Sequence, residues 1–126
     1  MAASSATLHE AVDQLKPETP DIHRAVVSLM EELEAVDWYR QRADACGDEQ
    51  LKAILEHNMN EEIEHASMVL EWLRRKVPKI DAALKTYLFT SGDVTKLEEV
   101  VTGGEPPIEQ NPQRQPRTTI GDLKGR

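Results

Sequence analysis

Cysteine is nearly missing from this 126-residue chain: Cys46 stands alone. No disulfide can form within one copy, and no thiolate metal cluster can be built. Aromatic residues are scarce too, five in all and 4% of the sequence. Sandwiches and barrels lean on aromatic and β-branched packing, so an all-β fold is disfavoured. Long apolar runs are absent. Stretches such as Ala25-Val26-Val27 fall far short of the roughly 20 residues a spanning helix needs, so no membrane partner is expected. Basic charge is in deficit: 15 Lys and Arg against 23 Asp and Glu leave a net charge of −8. Phosphate contacts need a basic surface, so nucleic acid is a poor partner and cations are better ones. The stretch Met1 to Thr7 lacks the basic-then-apolar order of a secretory signal, and a cytoplasmic setting is expected.

What is present reads as one small domain with flanking segments. Residues 1–19 form a leader, with a short amphipathic stretch from Leu8 to Leu15 cut off by Pro17 and Pro20. Residues 20–90 form the ordered body. Thr19 is placed to N-cap a helix with Pro20 at its first position and Asp21 in its first turn. The helical pattern runs to Cys46, and Gly47 suits a left-handed helix end. Asp48 caps a second helix that runs to Arg74-Arg75-Lys76 and stops at Pro78. Each helix is about 27 residues, or roughly 40 Å, and the short break between them forces an antiparallel hairpin. A shorter third helix is predicted over 79–89, carrying Ile80, Leu84, Tyr87 and Leu88. Residues 91–117 read as a flexible linker: residues 101–126 hold four of the seven prolines and four of the six glycines. Such a composition buries too little apolar surface to order itself. Residues 118–126 regain a small apolar pattern at Ile120 and Leu123, like a short peptide on a tether.

Ionisable residues interrupt both apolar lines of the hairpin. On the first helix the line is Ala25, Leu29, Glu32, Val36, Tyr39, Ala43; on the second it is Leu51, Leu55, Asn58, Glu62, His65, Val69, Trp72. A buried carboxylate costs several kcal/mol unless a partner or a metal compensates it. The midpoint of positions 32 and 62 falls on Gly47, in the bend. Both glutamates therefore lie about 22 Å from the bend, level with each other. His65 follows Glu62 by three residues and points the same way. Di-iron carboxylate bundles use a Glu from each of two helices and a Glu-x-x-His from each of two others. One copy of this chain supplies half of that set and half of a four-helix bundle. A symmetric dimer supplies both halves, with four Glu and two His around two metals. Oxygen donors with one nitrogen per metal suit Fe(II) or Mn(II). The competing reading is a non-enzymatic helical interaction module, with the carboxylates in salt bridges to Arg40, Arg42 or Arg74. A hemerythrin-like dioxygen carrier needs more histidines, and a rubrerythrin-like peroxidase needs four cysteines for its rubredoxin part.

Longer blocks carry a family resemblance. Met30-Glu31-Glu32-Leu33-Glu34-Ala35-Val36-Asp37-Trp38-Tyr39 resembles the first-helix signature of the encapsulated ferritins. Glu61-Glu62-Ile63-Glu64-His65-Ala66, with Leu70-Glu71-Trp72-Leu73-Arg74-Arg75, resembles their second, and Tyr87-Leu88-Phe89-Thr90 the end of their third. Thr118-Thr119-Ile120-Gly121-Asp122-Leu123-Lys124-Gly125 is similar to the peptides that load cargo into encapsulin shells, with Asp122 where serine is usual. The resemblance implies an all-α, ferritin-like half-bundle that dimerises, with dimers joined in an open decameric ring inside an encapsulin nanocompartment. It implies a ferroxidase that turns Fe(II) into Fe(III), two irons per dimer site, on Glu32, Glu62 and His65 with Tyr39 close by. It implies cation access past Glu31 and Glu34 beside Trp38, with calcium as a further ion there. A peripheral metal site is implied at His57, Glu61 and Glu64. Without the resemblance, Glu31 and Glu34 read as a solvated acidic face, and His57, Glu61 and Glu64 as an exposed stripe. Trp38 and Tyr39 then read as interface packing.

Overall fold

The structure is a computed structural model, and it describes residues 4–98. Two compact units divide at Asp81/Ala82. In the first, a short 3-10 turn at Val12–Gln14 precedes α1 (Thr19–Ala45) and α2 (Glu49–Lys76). A third helix, α3 (Pro78–Tyr87), starts in the first unit and crosses the division. No strand occurs among the described residues, in line with the scarcity of aromatics.

The helix boundaries follow the sequence with three departures. Thr19 does not cap α1. The chain is already helical at Glu18, and the Ile22 amide, one of the first-turn donors a Thr19 hydroxyl could have met, donates instead to the Glu18 carbonyl at 3.2 Å. Gly47 is not left-handed: the chain leaves α1 through extended Cys46 (φ −82°) and enters α2 through extended Asp48 (φ −88°). A Cβ at Gly47 would meet nothing within 4 Å, so no steric demand fixes glycine there. Asp48 does cap α2, its Oδ1 accepting from the Leu51 amide at 2.7 Å. Such a cap contributes about 1 kcal/mol. α3 ends at Tyr87 rather than Phe89, because Phe89 turns left-handed (φ 60°) and the Thr90 hydroxyl bonds the Tyr87 carbonyl at 2.7 Å.

α1 packs on α2 along the two expected lines. Ala25, Leu29, Glu32, Val36 and Tyr39 are half-buried and Ala43 is buried; on α2, Leu55, Asn58, Glu62, His65, Val69 and Trp72 are half-buried. Leu51, next to the bend, is the exception and lies exposed. Within this first unit only Ala43, Ala66 and Leu73 are buried outright among the described residues. Val26, Met30, Leu33, Ile54, Ile63 and Met68 remain exposed. Two helices alone cannot enclose a core, since each buries one stripe and presents its flanks to water. At the far end of α2, Arg74 forks between Glu71 (2.7 Å) and Asp81 (2.5 Å), tying α2 to the first turn of α3. In the second unit Asp93 caps a 3-10 turn at Val94–Lys96 by accepting from Thr95. The cargo-like peptide at 118–126 and the linker beyond residue 98 lie outside the described residues.

Candidate metal centre

α1 contributes Glu32 and α2 contributes Glu62 and His65. One donor atom from each lies within 4.8 Å of the others, the sole such group of three among the described residues. The His65 Nδ1 faces both carboxylates, 3.3 Å from Glu62 Oε2 and 3.7 Å from Glu32 Oε2. Two donors bound side by side to one ion through bonds of about 2.1 Å lie roughly 3–4 Å apart, so the spacing suits a shared cation. The cluster arises because three residues and seven residues recur on one face of a helix, and because equal arms from the bend bring the two faces level.

Electrostatics in the cluster are those of a site short of positive charge. The Glu32 carboxyl is pushed above the usual carboxylate range, first by hydrogen-bonding interaction with the neighbouring Glu62 carboxyl and then by desolvation. Glu62 goes the other way, held down by the proton on Glu32 and by His65. Hydrogen bonding to Glu62 raises His65 above its ordinary value. A divalent cation would replace those protons, since its ligands must be deprotonated. Both raised groups resist that loss in acid. Cation affinity is therefore expected to climb with pH through the carboxylate range and on past the ordinary imidazole range. Calorimetric titration with Co(II) at pH 6, in two buffers of different ionisation heat, is expected to show proton release. A heat independent of buffer would contradict it.

One side of the cluster stays open. The His65 side chain keeps 43% of its surface exposed, against 26% for Glu32 and 24% for Glu62. Neither carboxylate meets an arginine or a lysine among the described residues. Arg74 is committed to Glu71 and Asp81, and Arg42 lies over aromatic rings.

The other expected positions fall around this centre and do not converge on it. Tyr39 is half-buried on the Glu32 line, two turns nearer the bend. Glu31, Glu34 and Trp38 lie exposed on α1. His57 Nε2 reaches Glu61 Oε1 at 3.6 Å on the surface of α2, while half-buried Glu64 does not join them in a group of three donors. Sequence reasoning missed the role of Arg42 beside Trp38 and Tyr39. The signal was available, since Arg42 follows them by four and three residues.

Residues 7–91 match the EncFtn-like family. An encapsulated ferritin-like protein of Rhodospirillum rubrum is 58% identical, covering 83% of this chain and 75% of its own length. A ferritin-like protein of Thermotoga maritima is 53% identical, over 76% of this chain and 84% of its own. An encapsulin nanocompartment cargo protein of Myxococcus xanthus is 32% identical, over 92% of this chain and 94% of its own. A crystal structure of a Nitrosomonas europaea protein superposes with a TM-score of 0.66 at 57% identity, covering 68% of this chain and 94% of that one. The carboxylate–imidazole cluster at the centre of a helical hairpin thus sits within a recognised family, and this chain belongs to the EncFtn-like family, the encapsulated ferritins.

Proposed function

We propose that the protein is a ferroxidase, taking Fe(II) as substrate at a two-iron site shared between two copies and feeding iron storage inside an encapsulin shell. The observation that carries this reading is the convergence of Glu32, Glu62 and His65 on a point with one open side. Three donors from one copy leave an Fe(II) ion short of ligands. A second copy, placed across a twofold axis, would bring three more for the second ion and close the open side, and both oxygens of each of the four carboxylates are then available to the pair of ions. The four carboxylates then balance the charge of two divalent ions. Paired irons can deliver two electrons together, taking dioxygen and two protons to hydrogen peroxide. The residues supply placement and charge balance: Glu32 and Glu62 hold Fe(II) on oxygen, His65 holds it through Nδ1, and all three stay in register on rigid helices.

Cation access past Glu31 and Glu34 beside Trp38 is part of the proposal. Two exposed carboxylates one turn apart, repeated on the second copy, would concentrate cations above the site. Their hard oxygen donors accept calcium as well as Fe(II). Tyr39 stands toward the bend on the same line. His57, Glu61 and Glu64 are proposed as a peripheral site whose third donor must swing in when an ion binds. Dimers are proposed to join in a decameric ring.

The encapsulated relatives support the storage half of the proposal. An open ring cannot retain a mineral, so a shell must, and residues 118–126 are proposed as the hook. Deleting residues 115–126 is expected to leave Fe(II) oxidation at the full rate and to abolish loading into a co-expressed encapsulin shell. Iron content and gel mobility of purified shells read the outcome, and normal loading of the shortened chain would sink the hook.

The salt-bridge module gains no support from the cluster, whose carboxylates meet only each other and His65 among the described residues. The test of the function is anaerobic addition of Fe(II), then air, with iron counted per chain. Two irons shared by two copies give one per chain, with rapid growth of the Fe(III) absorbance.

A further inference from the structure

The chain has two tryptophans. Trp38 lies six residues beyond Glu32 on α1, and Trp72 lies seven beyond His65 on α2. The helices run antiparallel, so the two indoles flank the cluster from opposite ends, each roughly 10 Å away along its axis. Each carries a cation four residues further on. The Arg42 guanidinium carbon is 5.8 Å from the Trp38 ring centre. The Lys76 ammonium is 5.8 Å from the Trp72 ring centre. The same guanidinium lies 5.5 Å from the Tyr39 ring centre. Three of the five aromatic residues are thus covered, and they are the ones that share α1 and α2 with the cluster.

Folding does not demand this cover, because a cation over an exposed ring stabilises by only about 0.5–1 kcal/mol. Its electrostatic sense is more informative. A cation is drawn to the electron-rich face of a neutral ring and repels the same ring once an electron has left. Indole and phenol are the side chains that most readily lose one electron. Two-electron reduction of dioxygen leaves hydrogen peroxide, and surplus Fe(II) reduces peroxide by one electron to hydroxide and a hydroxyl radical.

We propose that Arg42 and Lys76 shield Trp38, Tyr39 and Trp72 from one-electron oxidation during iron turnover. In the step they oppose, the oxygen radical takes one electron from the ring and ends as hydroxide. The ring radical cation then loses its N–H or O–H proton to water; the neutral indolyl radical adds dioxygen, and the neutral phenoxyl radical forms a carbon–carbon bond with a second phenoxyl radical. The positive charge over the ring raises the cost of the first electron transfer. The inference rests on the ferroxidase reading, and its test separates the two.

The full-length protein, Arg42→Gln, Arg42→Lys and Lys76→Gln are oxidised in two ways: by Fe(II) in air, and without iron by hexachloroiridate(IV), a one-electron oxidant. Peptide mass spectrometry reads the oxidation of each ring. Arg42→Gln is expected to raise oxidation of Trp38 and Tyr39 by about threefold under both treatments, with Trp72 unchanged. Lys76→Gln is expected to do the converse, and Arg42→Lys, which keeps the charge, stays at the wild-type level. Initial rates of Fe(II) oxidation are expected to be equal in all four proteins. Wild-type ring oxidation of Arg42→Gln under hexachloroiridate overturns the shield, whatever the iron arm shows. A failed ferroxidase reading looks different: the wild type then leaves Fe(II) to oxidise as slowly as buffer does, and the role in turnover falls even where the hexachloroiridate pattern holds.

Discussion

Alanine in place of Glu32, Glu62 or His65 is expected to slow Fe(II) oxidation by at least about 100-fold, to the rate of iron in buffer. The three donors are few, and each would be used twice in a symmetric dimer, so one substitution removes two ligands. Glu32→Ala and Glu62→Ala also each remove two of four negative charges that would balance the metals. His65→Ala removes all the nitrogen donors at once. Stopped-flow absorbance of Fe(III) after mixing with aerated buffer reads the rate. The helices should survive each change, because the three side chains are partly exposed and Glu32 and Glu62 crowd each other when no metal is present. Circular dichroism at wild-type helicity would separate lost chemistry from lost fold. Wild-type rates in all three variants would end the ferroxidase proposal.

Metal is expected to drive association. A single hairpin leaves Val26, Met30, Leu33, Ile54, Ile63 and Met68 in water, so apolar surface favours a partner even without ions. Repulsion among four carboxylates opposes the dimer until cations arrive. An ion present at 100 times its dissociation constant contributes about 2.7 kcal/mol, roughly 100-fold in association for each ion bound across the interface. Native mass spectrometry with Co(II), or with anaerobic Fe(II), should therefore move the population from single chains toward dimers and larger species. Glu32→Ala should show the same distribution with and without the ion. A mass distribution blind to metal in the wild type would count against ligands shared between copies.

Much of the fold was legible before any coordinates. Pro20, Asp48, Pro78 and the Arg74-Arg75-Lys76 end placed both long helices almost to the residue. These positions act locally: proline removes a donor, aspartate caps, and like charges gather at a helix end. The alternation of three and four residues, with Glu32, Glu62 and His65 inside it, identified the cluster. Equal distance from the bend then brought the donors level. Errors occurred where two local solutions were close in energy. At Thr19 the Glu18 carbonyl, rather than the threonine hydroxyl, supplied the acceptor for the Ile22 amide. At Gly47 the chain turned with extended residues, a route open to any side chain. At Phe89 an aromatic residue took the left-handed conformation usually left to glycine, ending α3 two residues early.

By itself, then, the order of residues determined two long helices, their antiparallel return and the level at which three metal-capable side chains meet, because each depends on spacing along one chain. Only the tertiary structure decided which donor atom of His65 faces the carboxylates, how far apart the donors stand and which side of the cluster is left open. It also decided that Arg42 and Lys76 lie over rings while Arg74 binds Glu71 and Asp81. Side-chain rotamers choose among several neighbours that periodicity treats as equal, and that choice is settled by packing and charge across helices rather than by position along them.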